Sequence, residues 1–389
     1  MKKKVIILGL IGILILCGYY FVINRQIPMN EIEQVLLNEV EANKSPSVQY
    51  YLFDKDKIIY EYNLGYANID KQIKTDNSTK YNAFSVTKTF TALAILQLSE
   101  QNKIDIEQPI INYLPEFAYG SDITVRQILN HSAGIPNPIP LSWIHLVDEH
   151  QTFNRNDFFK SVIDKNNKVK SEPNEKFSYS NIGYIILGQL IEKISGKTYE
   201  DYVAENIINK LSLNEKDLSF EFTDSSKYAT GYHKKISFSN LILGFLIDKS
   251  KFMNKSKGKW KSFKKYYVNG TSYGGLIGTP IAFVKYVQEF LTDDNQLLSE
   301  KHRTLFFQEN INNKNENTGM CLSWFTGDLN GNKYFTHAGG GGGGYYCEIR
   351  IYPNLKIGSV IFLNRTGMSD ERFLDKLDSI FIDKLNANR

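Results

Sequence analysis

The sequence predicts an α+β fold: an antiparallel sheet built from both ends of the chain and flanked by helices, with a mostly helical lobe inserted into it. The first observation is that short β-prone runs occur near the start of the chain and again in its last seventy residues. The second is that the longest apolar helical segments lie between them. The third is the composition, in which 42% of 389 residues are hydrophobic and 23% are charged, as in a folded globular protein.

The chain begins with positive charge followed by a long apolar run. Three lysines precede residues 5–23, a run of nineteen residues that is long enough to cross a bilayer as a helix. No small-x-small cleavage site follows, and the lysines orient the N-terminus inward. We therefore predict a single-pass signal anchor over residues 1–24, a linker over 25–30 and an extracytoplasmic domain over 31–389. A cleaved signal peptide and a lipoprotein modified at Cys17 are the alternatives.

The first elements of the domain are a helix and a hairpin. Asn30 is expected to cap a helix over 31–41. Two β-prone runs follow at 48–53 and 58–62, joined by the turn residues 54–56 as in a β-hairpin.

Two helices are predicted within the inserted lobe. The segment 84–98 is apolar almost all round, which places its helix in the interior. The second helix covers 181–194 and ends at Ser195-Gly196, because glycine suits the left-handed position after a helix.

The C-terminal part returns to β-prone sequence. Turn residues separate four short strand-like runs, and a final helix follows at 370–385. The predicted strands cover residues 320–325, 333–336, 345–352 and 357–363.

Charge and cysteine content restrict the classes of function. A net charge of +4 is mild, and no nucleic-acid-binding motif occurs. Beyond Cys17, the spacing of Cys321 and Cys347 fits neither a metal site nor a disulfide framework, and it is compatible with one bridge or with two unpaired core thiols. We expect no metal and no cofactor, and the sequence indicates no oligomeric state.

A serine and a lysine open the first buried helix. Ser85 and Lys88 are three residues apart, so they share one helix face. A serine hydroxyl needs a base within reach to become a nucleophile, and a lysine serves if burial or a neighbouring cation lowers its pKa. The Ser85 N–H, at a helix start, also suits a developing oxyanion. The alternative is a helix cap beside a surface lysine.

Tyr179-Ser180-Asn181 stands directly before the second helix. A phenol near a lysine can relay a proton to a leaving group, and an asparagine amide can orient the substrate or the lysine. The alternative is an aromatic contact followed by a helix-capping asparagine.

His337-Ala338-Gly339 begins a run of six glycines that extends from Gly339 to Gly344. Glycine within β-prone sequence marks close backbone approach, and a bare strand edge can bind a substrate amide or ester. One N–H of this edge would complete an oxyanion hole. A flexible glycine turn is the alternative.

Together, the order Ser-x-x-Lys, Tyr-x-Asn, His-x-Gly resembles that of the penicillin-recognising serine hydrolases. The resemblance is to the branch with class C β-lactamases, D-alanyl-D-alanine carboxypeptidases, and related esterases and D-aminopeptidases. Residues 129–136, 274–277 and 345–353 fit the same branch. The resemblance covers about residues 30–389 and implies a β-lactamase-like fold.

The resemblance also implies roles for individual residues. Ser85 would be the nucleophile, Lys88 its activator and Tyr179 the proton shuttle. Four further residues would bind substrate: Asn181 through its amide, His337 on the strand that flanks the cleft, and the glycines Gly339 and Gly340, of which Gly340 could supply the second oxyanion N–H. His131 would be structural.

Two departures from the family pattern bear on the substrate. Histidine replaces the lysine usual at position 337, and near neutral pH it is mostly uncharged. Ala338 replaces the usual hydroxyl residue and removes one hydrogen bond to a substrate carboxylate. We therefore expect poor β-lactam hydrolysis and favour an ester, an amide or a D-amino-acid substrate.

A segment outside the motifs bears on partners. Residues 241–247 are apolar, and eight lysines lie between Lys249 and Lys265, interleaved with aromatic residues. The favoured interpretation is an insertion with a solvated lysine face; contact with an anionic membrane or an acidic wall polymer is the alternative.

These features predict a membrane-anchored serine hydrolase in the cell envelope that forms an acyl-Ser85 intermediate. Its substrate would be a small molecule or a cell-wall component that contains D-amino acids, cleaved as by a carboxypeptidase or an esterase. A penicillin-binding sensor, a β-lactamase and a non-catalytic scaffold are the alternatives, and no nucleic acid is expected as a partner.

Overall fold

The computed structural model describes residues 29–366 and 372–387. The signal anchor predicted over residues 1–24 lies outside this part of the chain, as does most of the predicted linker. Within the described ranges, no helix has both the length and the hydropathy needed to cross a membrane.

A seven-stranded antiparallel sheet forms the centre of the fold. The strands of the chain are β1 (Ser47–Asp54), β2 (Ile58–Asn68), β3 (Ile73–Lys74), β4 (Tyr81–Asn82), β5 (Ile144–Leu146), β6 (Leu218–Ser219), β7 (Tyr232–Lys234), β8 (Trp260–Ser262), β9 (Tyr266–Val268), β10 (Ile277–Gly278), β11 (Phe325–Leu329), β12 (Asn332–Gly339), β13 (Tyr346–Tyr352) and β14 (Ile357–Leu363). The sheet order is β11-β12-β13-β14-β1-β2-β3, so strands from the two ends of the chain meet where Val48 of β1 lies opposite Leu363 of β14. This confirms the predicted α+β fold.

Helices cover both faces of this sheet and build the inserted lobe. The helices are α1 (Met29–Glu41), α2 (Thr87–Glu100), α3 (Val125–Leu129), α4 (Arg155–Lys165), α5 (Asn181–Ser195), α6 (Tyr199–Val203), α7 (Phe238–Leu246), α8 (Lys249–Phe252), α9 (Thr271–Gly274), α10 (Pro280–Gln288), α11 (Glu300–Phe306) and α12 (Asp375–Ala387). One face of the sheet packs against α1 and α12 through a core that includes Leu36, Ile361 and Leu377. The other face packs against α10, and beyond it α2, α5 and α9 pack against one another.

The apolar character of α2 explains its position. Twelve of its fourteen residues are buried, as expected for a helix without a polar face. The helix α5 stops at Gly196, which has the left-handed φ of +71° that the sequence predicts there. The two helices contact each other and hold the start of α2 against the C-terminal strands.

Several predicted boundaries differ from the structure. Asn30 is not the cap of α1, because the helix already includes it. Phe84–Val86 form a 3-10 turn, and α2 begins after it. The strand predicted over residues 320–325 is wrong: β11 begins only at Phe325, Met320 makes a single bridge to it, and the segment between them is a buried loop.

The final helix begins later than predicted, at Asp375 rather than at position 370. Cys321 and Cys347 are two free buried thiols, so the bridge left open by the sequence does not form.

Candidate active site

Ser85 lies in the 3-10 turn that leads into α2. The preceding residue Phe84 has a φ of +44°, which is unfavourable for a bulky side chain and is seen mainly where the surrounding structure imposes it. The first N–H groups of a helix have no partner within the helix, so the Ser85 N–H can serve a developing negative charge.

Lys88 is fully buried one turn after Ser85, on the same face of the helix. Its Nζ lies 3.2 Å from Ser85 Oγ and donates to the Tyr273 carbonyl oxygen at 2.8 Å. The rings of Tyr179, Tyr184 and Tyr273 surround the amine at 4.9, 5.6 and 5.3 Å. Burial lowers the pKa of Lys88 well below its usual range. A neutral amine here can keep its bond to the Tyr273 carbonyl and accept the Ser85 proton.

Tyr179 reaches the same oxygen from the second motif. Its hydroxyl donates to Ser85 Oγ at 2.9 Å. The tyrosine stands one residue before Ser180, whose side chain caps α5 by accepting the Gly183 N–H. Because that cap fixes the start of α5, it also fixes the direction in which the Tyr179 phenol points.

His131 supports Tyr179 from behind. The two rings lie 4.3 Å apart, and the His131 Nδ1 accepts the backbone N–H of Ser180 at 3.1 Å. Burial, with Lys88 nearby as a lesser cause, lowers the pKa of His131 well below its usual range, so the imidazole is neutral. This residue positions the phenol through packing and one backbone contact, which agrees with the structural role expected from the sequence.

Asn181 is held by a neighbouring amide. Its Nδ2 donates to Asn137 Oδ1 at 3.0 Å, and its backbone N–H donates to the same oxygen at 3.1 Å. The Asn181 Oδ1 is buried and has no hydrogen-bond partner among the described residues. An unpaired buried acceptor is costly, so this oxygen is suited to receive an N–H from a substrate.

The third motif lies at the end of β12. The neighbouring strand β11 pairs only with Asn332–Thr336, which leaves the edge at residues 337–339 uncovered by β11. A side chain on Gly339 would overlap the Ala83 carbonyl oxygen, two residues before Ser85. Glycine is therefore required for this strand to lie so close to the segment that carries Ser85. Gly340 follows and lines the space around Ser85.

His337 is fully buried on β12. Its Nδ1–H donates to the Ser323 carbonyl oxygen, so its Nε2 carries no proton in the neutral ring, and that Nε2 has no partner among the described residues. Burial and then the Lys88 charge lower the pKa of His337 to about 3. The imidazole is therefore an uncharged acceptor rather than a cation for a carboxylate.

Two cavities meet at Ser85. A cavity of about 230 Å³ has an apolar wall that includes Phe84, Leu141, Leu243 and Tyr266. A larger one of about 540 Å³ is lined by His337, Ala338 and Arg372 together with aromatic rings. Ser85, Tyr179 and Gly340 border both of them.

Arg372 is a functional candidate that the sequence reasoning missed. It lies shortly before α12, with its guanidinium 5.5 Å from the Phe325 ring centre and 5.8 Å from that of Tyr334. No spacing pattern marks it, because the tertiary fold alone places it in the lining of the same cavity as Ser85. Within the described residues no group of three potential ligands could hold a metal ion.

This arrangement has the chemical parts of a nucleophilic site. A hydroxyl contacts a buried amine and a phenol, and Gly340 and an open strand edge border the same space. Such a set can form and hydrolyse an acyl-serine without a cofactor.

Known proteins are similar to this chain in sequence. The Beta-lactamase family matches residues 32–379. Protein flp from Staphylococcus aureus (strain N315) is 21% identical over 356 residues, 90% of this chain and 66% of that protein. Penicillin-binding protein 4* from Bacillus subtilis (strain 168) is 26% identical over 262 residues, 66% of this chain and 54% of that protein. The chain thus spans about two thirds or less of the length of these relatives.

Solved structures share the fold. The octameric penicillin-binding protein homologue from Pyrococcus abyssi has a TM-score of 0.73 at 22% identity, covering 93% of this chain and 78% of that one. The D-amino acid amidase from Ochrobactrum anthropi SV3 has a TM-score of 0.73 at 18% identity, covering 92% and 99%. The chain therefore belongs to the beta-lactamase family, the penicillin-recognising serine hydrolases.

Proposed function

We propose that this serine hydrolase is held at the outer face of the cell membrane by its N-terminal segment. There it cleaves an ester or amide of a D-amino-acid-containing envelope substrate. The observation that carries the proposal is the contact of Ser85 Oγ with both the Tyr179 hydroxyl, at 2.9 Å, and the Lys88 amine, at 3.2 Å, in a buried setting. Because burial lowers the pKa of Lys88, its base form is populated at lower pH than for an ordinary lysine.

The reaction begins when Ser85 Oγ attacks the substrate carbonyl carbon and its proton passes to Lys88. The resulting oxyanion accepts hydrogen bonds from the Ser85 and Gly340 N–H groups. Tyr179 then delivers a proton to the leaving oxygen or nitrogen, and the bond from that atom to the carbonyl carbon breaks. Lys88 passes the proton that it took from Ser85 to the Tyr179 phenolate, so both groups return to their starting forms. Water then attacks the acyl-Ser85 carbonyl carbon and gives a proton to Lys88. The bond between that carbon and Ser85 Oγ breaks, Tyr179 donates a proton to Oγ and regains one from Lys88, and the acid and the free serine are released.

The two cavities support a substrate with one apolar and one anionic or polar side. The apolar wall suits a hydrophobic group next to the scissile bond, where the free Asn181 oxygen can accept a substrate N–H. In the larger cavity the positive charge is that of Arg372, because the His337 imidazole is uncharged. The likeness to a D-amino acid amidase is consistent with this substrate class. The membrane location is supported by the apolar run at residues 5–23.

A substrate panel tests the proposal. The full chain and its Ser85→Ala variant are compared on p-nitrophenyl esters, D-alanine p-nitroanilide and nitrocefin. We expect Ser85-dependent turnover of the esters or of the D-anilide at rates above that of nitrocefin, because Ala338 and His337 provide neither a hydroxyl nor a charge for the β-lactam carboxylate. Nitrocefin as the best substrate by far would contradict the proposed substrate class.

Adduct lifetime separates an enzyme from a sensor. A fluorescent penicillin is added, and its loss from Ser85 is followed over time on the full chain. Release on the time scale of ester turnover agrees with a hydrolase. An adduct that persists while no ester or anilide is turned over would instead indicate a penicillin-binding sensor.

A further inference from the structure

One surface of the lobe carries unusually exposed apolar side chains. The five most exposed large hydrophobic residues among those described are Ile236 at 90%, Phe245 at 81%, Phe238 at 79%, Ile139 at 63% and Leu241 at 60%. Four of them belong to α7 or directly precede it. Ile139 lies beside the turn at 140–142, which contacts α7. We call this group the α7 face.

The α7 face results from a helix that is apolar on both sides. Ser237 caps the helix by accepting the Asn240 N–H at 3.1 Å. Phe238, Leu241 and Phe245 are spaced by three and four residues, so they share the outer side. Leu243 is buried on the inner side, where it lines the apolar cavity beside Ser85. A helix apolar all round is normally buried, so the uncovered side calls for a partner.

Positive charge surrounds the α7 face. Residues 234–265 contain ten lysines and a single acidic residue, Asp248. Lys234 and Lys235 come directly before Ile236, and the Lys235 N–H donates to the Lys259 carbonyl oxygen next to the antiparallel pair β7–β8. These three lysines are exposed and form no ion pair with a described carboxylate. Their charge is therefore available to an anionic partner.

We propose that the α7 face docks on an anionic lipid bilayer. Phe238, Leu241 and Phe245 enter the boundary between headgroups and acyl chains, while the lysines contact lipid phosphates, as in other helices that lie in the plane of a membrane. The inner side of the same helix lines the cavity beside Ser85, so docking brings that cavity close to the lipid surface. The inference is independent of the reaction and of the N-terminal anchor.

Two other occupants fit the observations less well. A second copy that used the same face would bring ten lysines against ten, a repulsive arrangement for a two-fold interface. An anionic polymer would pair with the lysines but would leave the apolar side chains in water. A bilayer with anionic headgroups matches both features.

The test places a fluorescent reporter in the α7 face of the full chain. Phe245→Trp is compared with Ile311→Trp, whose site is 49% exposed and lies outside the α7 face. The native tryptophans are buried, and the wild-type spectrum is subtracted. The vesicles contain phosphatidylglycerol and phosphatidylcholine, with or without brominated acyl chains. We expect a blue shift and bromine quenching for Phe245→Trp and neither for Ile311→Trp. The N-terminal segment is the same in both variants and cannot produce the difference.

Charge reversal tests the anionic requirement. The triple change Lys234→Glu, Lys235→Glu and Lys259→Glu should remove most of the quenching of Phe245→Trp. The matched triple reversal of the exposed Lys103, Lys301 and Lys314 should leave it intact.

Four results would overturn the proposal. The first is a Phe245→Trp emission spectrum that does not shift when vesicles are added, and the second is equal quenching of Phe245→Trp in purely zwitterionic vesicles. The third is a blue shift of Phe245→Trp that grows with protein concentration in the absence of lipid. The fourth is a blue shift of Phe245→Trp on adding poly(glycerol phosphate) in the absence of lipid. The last two would identify a second copy and an anionic polymer.

Discussion

Tyr179→Phe removes the hydroxyl that contacts Ser85 and leaves the ring in place. The phenyl ring keeps its packing on His131, at 4.3 Å, and beside Phe325, at 6.5 Å. The hydroxyl that is lost donates a hydrogen bond to Ser85 Oγ at 2.9 Å. A typical hydrogen bond contributes about 1 kcal/mol net, so the free energy of unfolding should fall by no more than about 1.5 kcal/mol.

The effect on catalysis should be much larger. A positioned acid–base group contributes roughly 10²- to 10⁴-fold in rate, and each tenfold corresponds to about 1.4 kcal/mol, so about 3–5 kcal/mol of transition-state stabilisation is lost. The loss in kcat/KM should be greater for an amide, whose leaving nitrogen needs a proton, than for a p-nitrophenyl ester. Steady-state kinetics on a matched amide and ester measures this ratio, and thermal unfolding measures stability.

Tyr184→Phe is the matched control. The Tyr184 ring also faces Lys88, at 5.6 Å from Nζ, but its hydroxyl donates to the Leu129 carbonyl oxygen at 2.7 Å. Its loss should cost about 1 kcal/mol of stability and change kcat/KM by about threefold or less. If the two variants lose activity equally, or if Tyr179→Phe keeps wild-type kcat/KM on the amide, the role of the phenol as proton donor is refuted.

The remaining predictions concern the base, the strand edge and the second cavity. Lys88→Arg should abolish turnover, because a guanidinium cannot be deprotonated. In the wild type, burial lowers the pKa of Lys88, so kcat/KM should rise with pH through a midpoint well below 10.5 as the amine loses its proton, which a pH–rate profile measures. Gly339→Ala should destabilise the fold by about 1–3 kcal/mol and lower kcat, because the added methyl group overlaps the Ala83 carbonyl oxygen. Denaturant unfolding measures the loss of stability, and steady-state kinetics measures kcat. Arg372→Gln should lower kcat/KM about 10- to 100-fold for a D-alanyl-D-alanine substrate with a free carboxylate, because the substrate anion loses a charged partner. The kcat/KM for the carboxamide analogue of that substrate should stay unchanged, because the analogue carries no negative charge.

The sequence predicted the strands and helices that are set by local pattern. β14 has the predicted bounds, 357–363, and α5 ends at the predicted glycine, because a short apolar run bounded by turn residues and a left-handed glycine act over short distances. The contact among Ser85, Lys88 and Tyr179 was foreseen from the order of three motifs, although no local pattern could supply its distances.

Other features depend on tertiary structure and were missed for that reason. Residues 320–325 look like a strand because Cys321, Leu322 and Trp324 are apolar, but the chain turns at Ser323, with φ at +75°, and is buried as a loop. The Ser323 carbonyl then fixes the His337 ring. Periodicity cannot separate a buried strand from a buried loop of this length.

Arg372 and the pairing of His131 with Tyr179 belong to the same class. Arg372 and His131 belong to none of the three motifs, and each is far in sequence from Ser85. The resemblance to a family gave His131 a structural role but no contact partner.

Acylation of Ser85 tests the central claim most directly. The full chain is treated with a fluorophosphonate, digested and mapped by mass spectrometry, alongside Ser85→Ala, Lys88→Arg and Tyr179→Phe. We predict one adduct, on the peptide that carries Ser85, which is absent in Ser85→Ala and forms much more slowly when the amine or the phenol is altered. An adduct on another residue, or labelling of Ser85 at an unchanged rate in both Lys88→Arg and Tyr179→Phe, would contradict it.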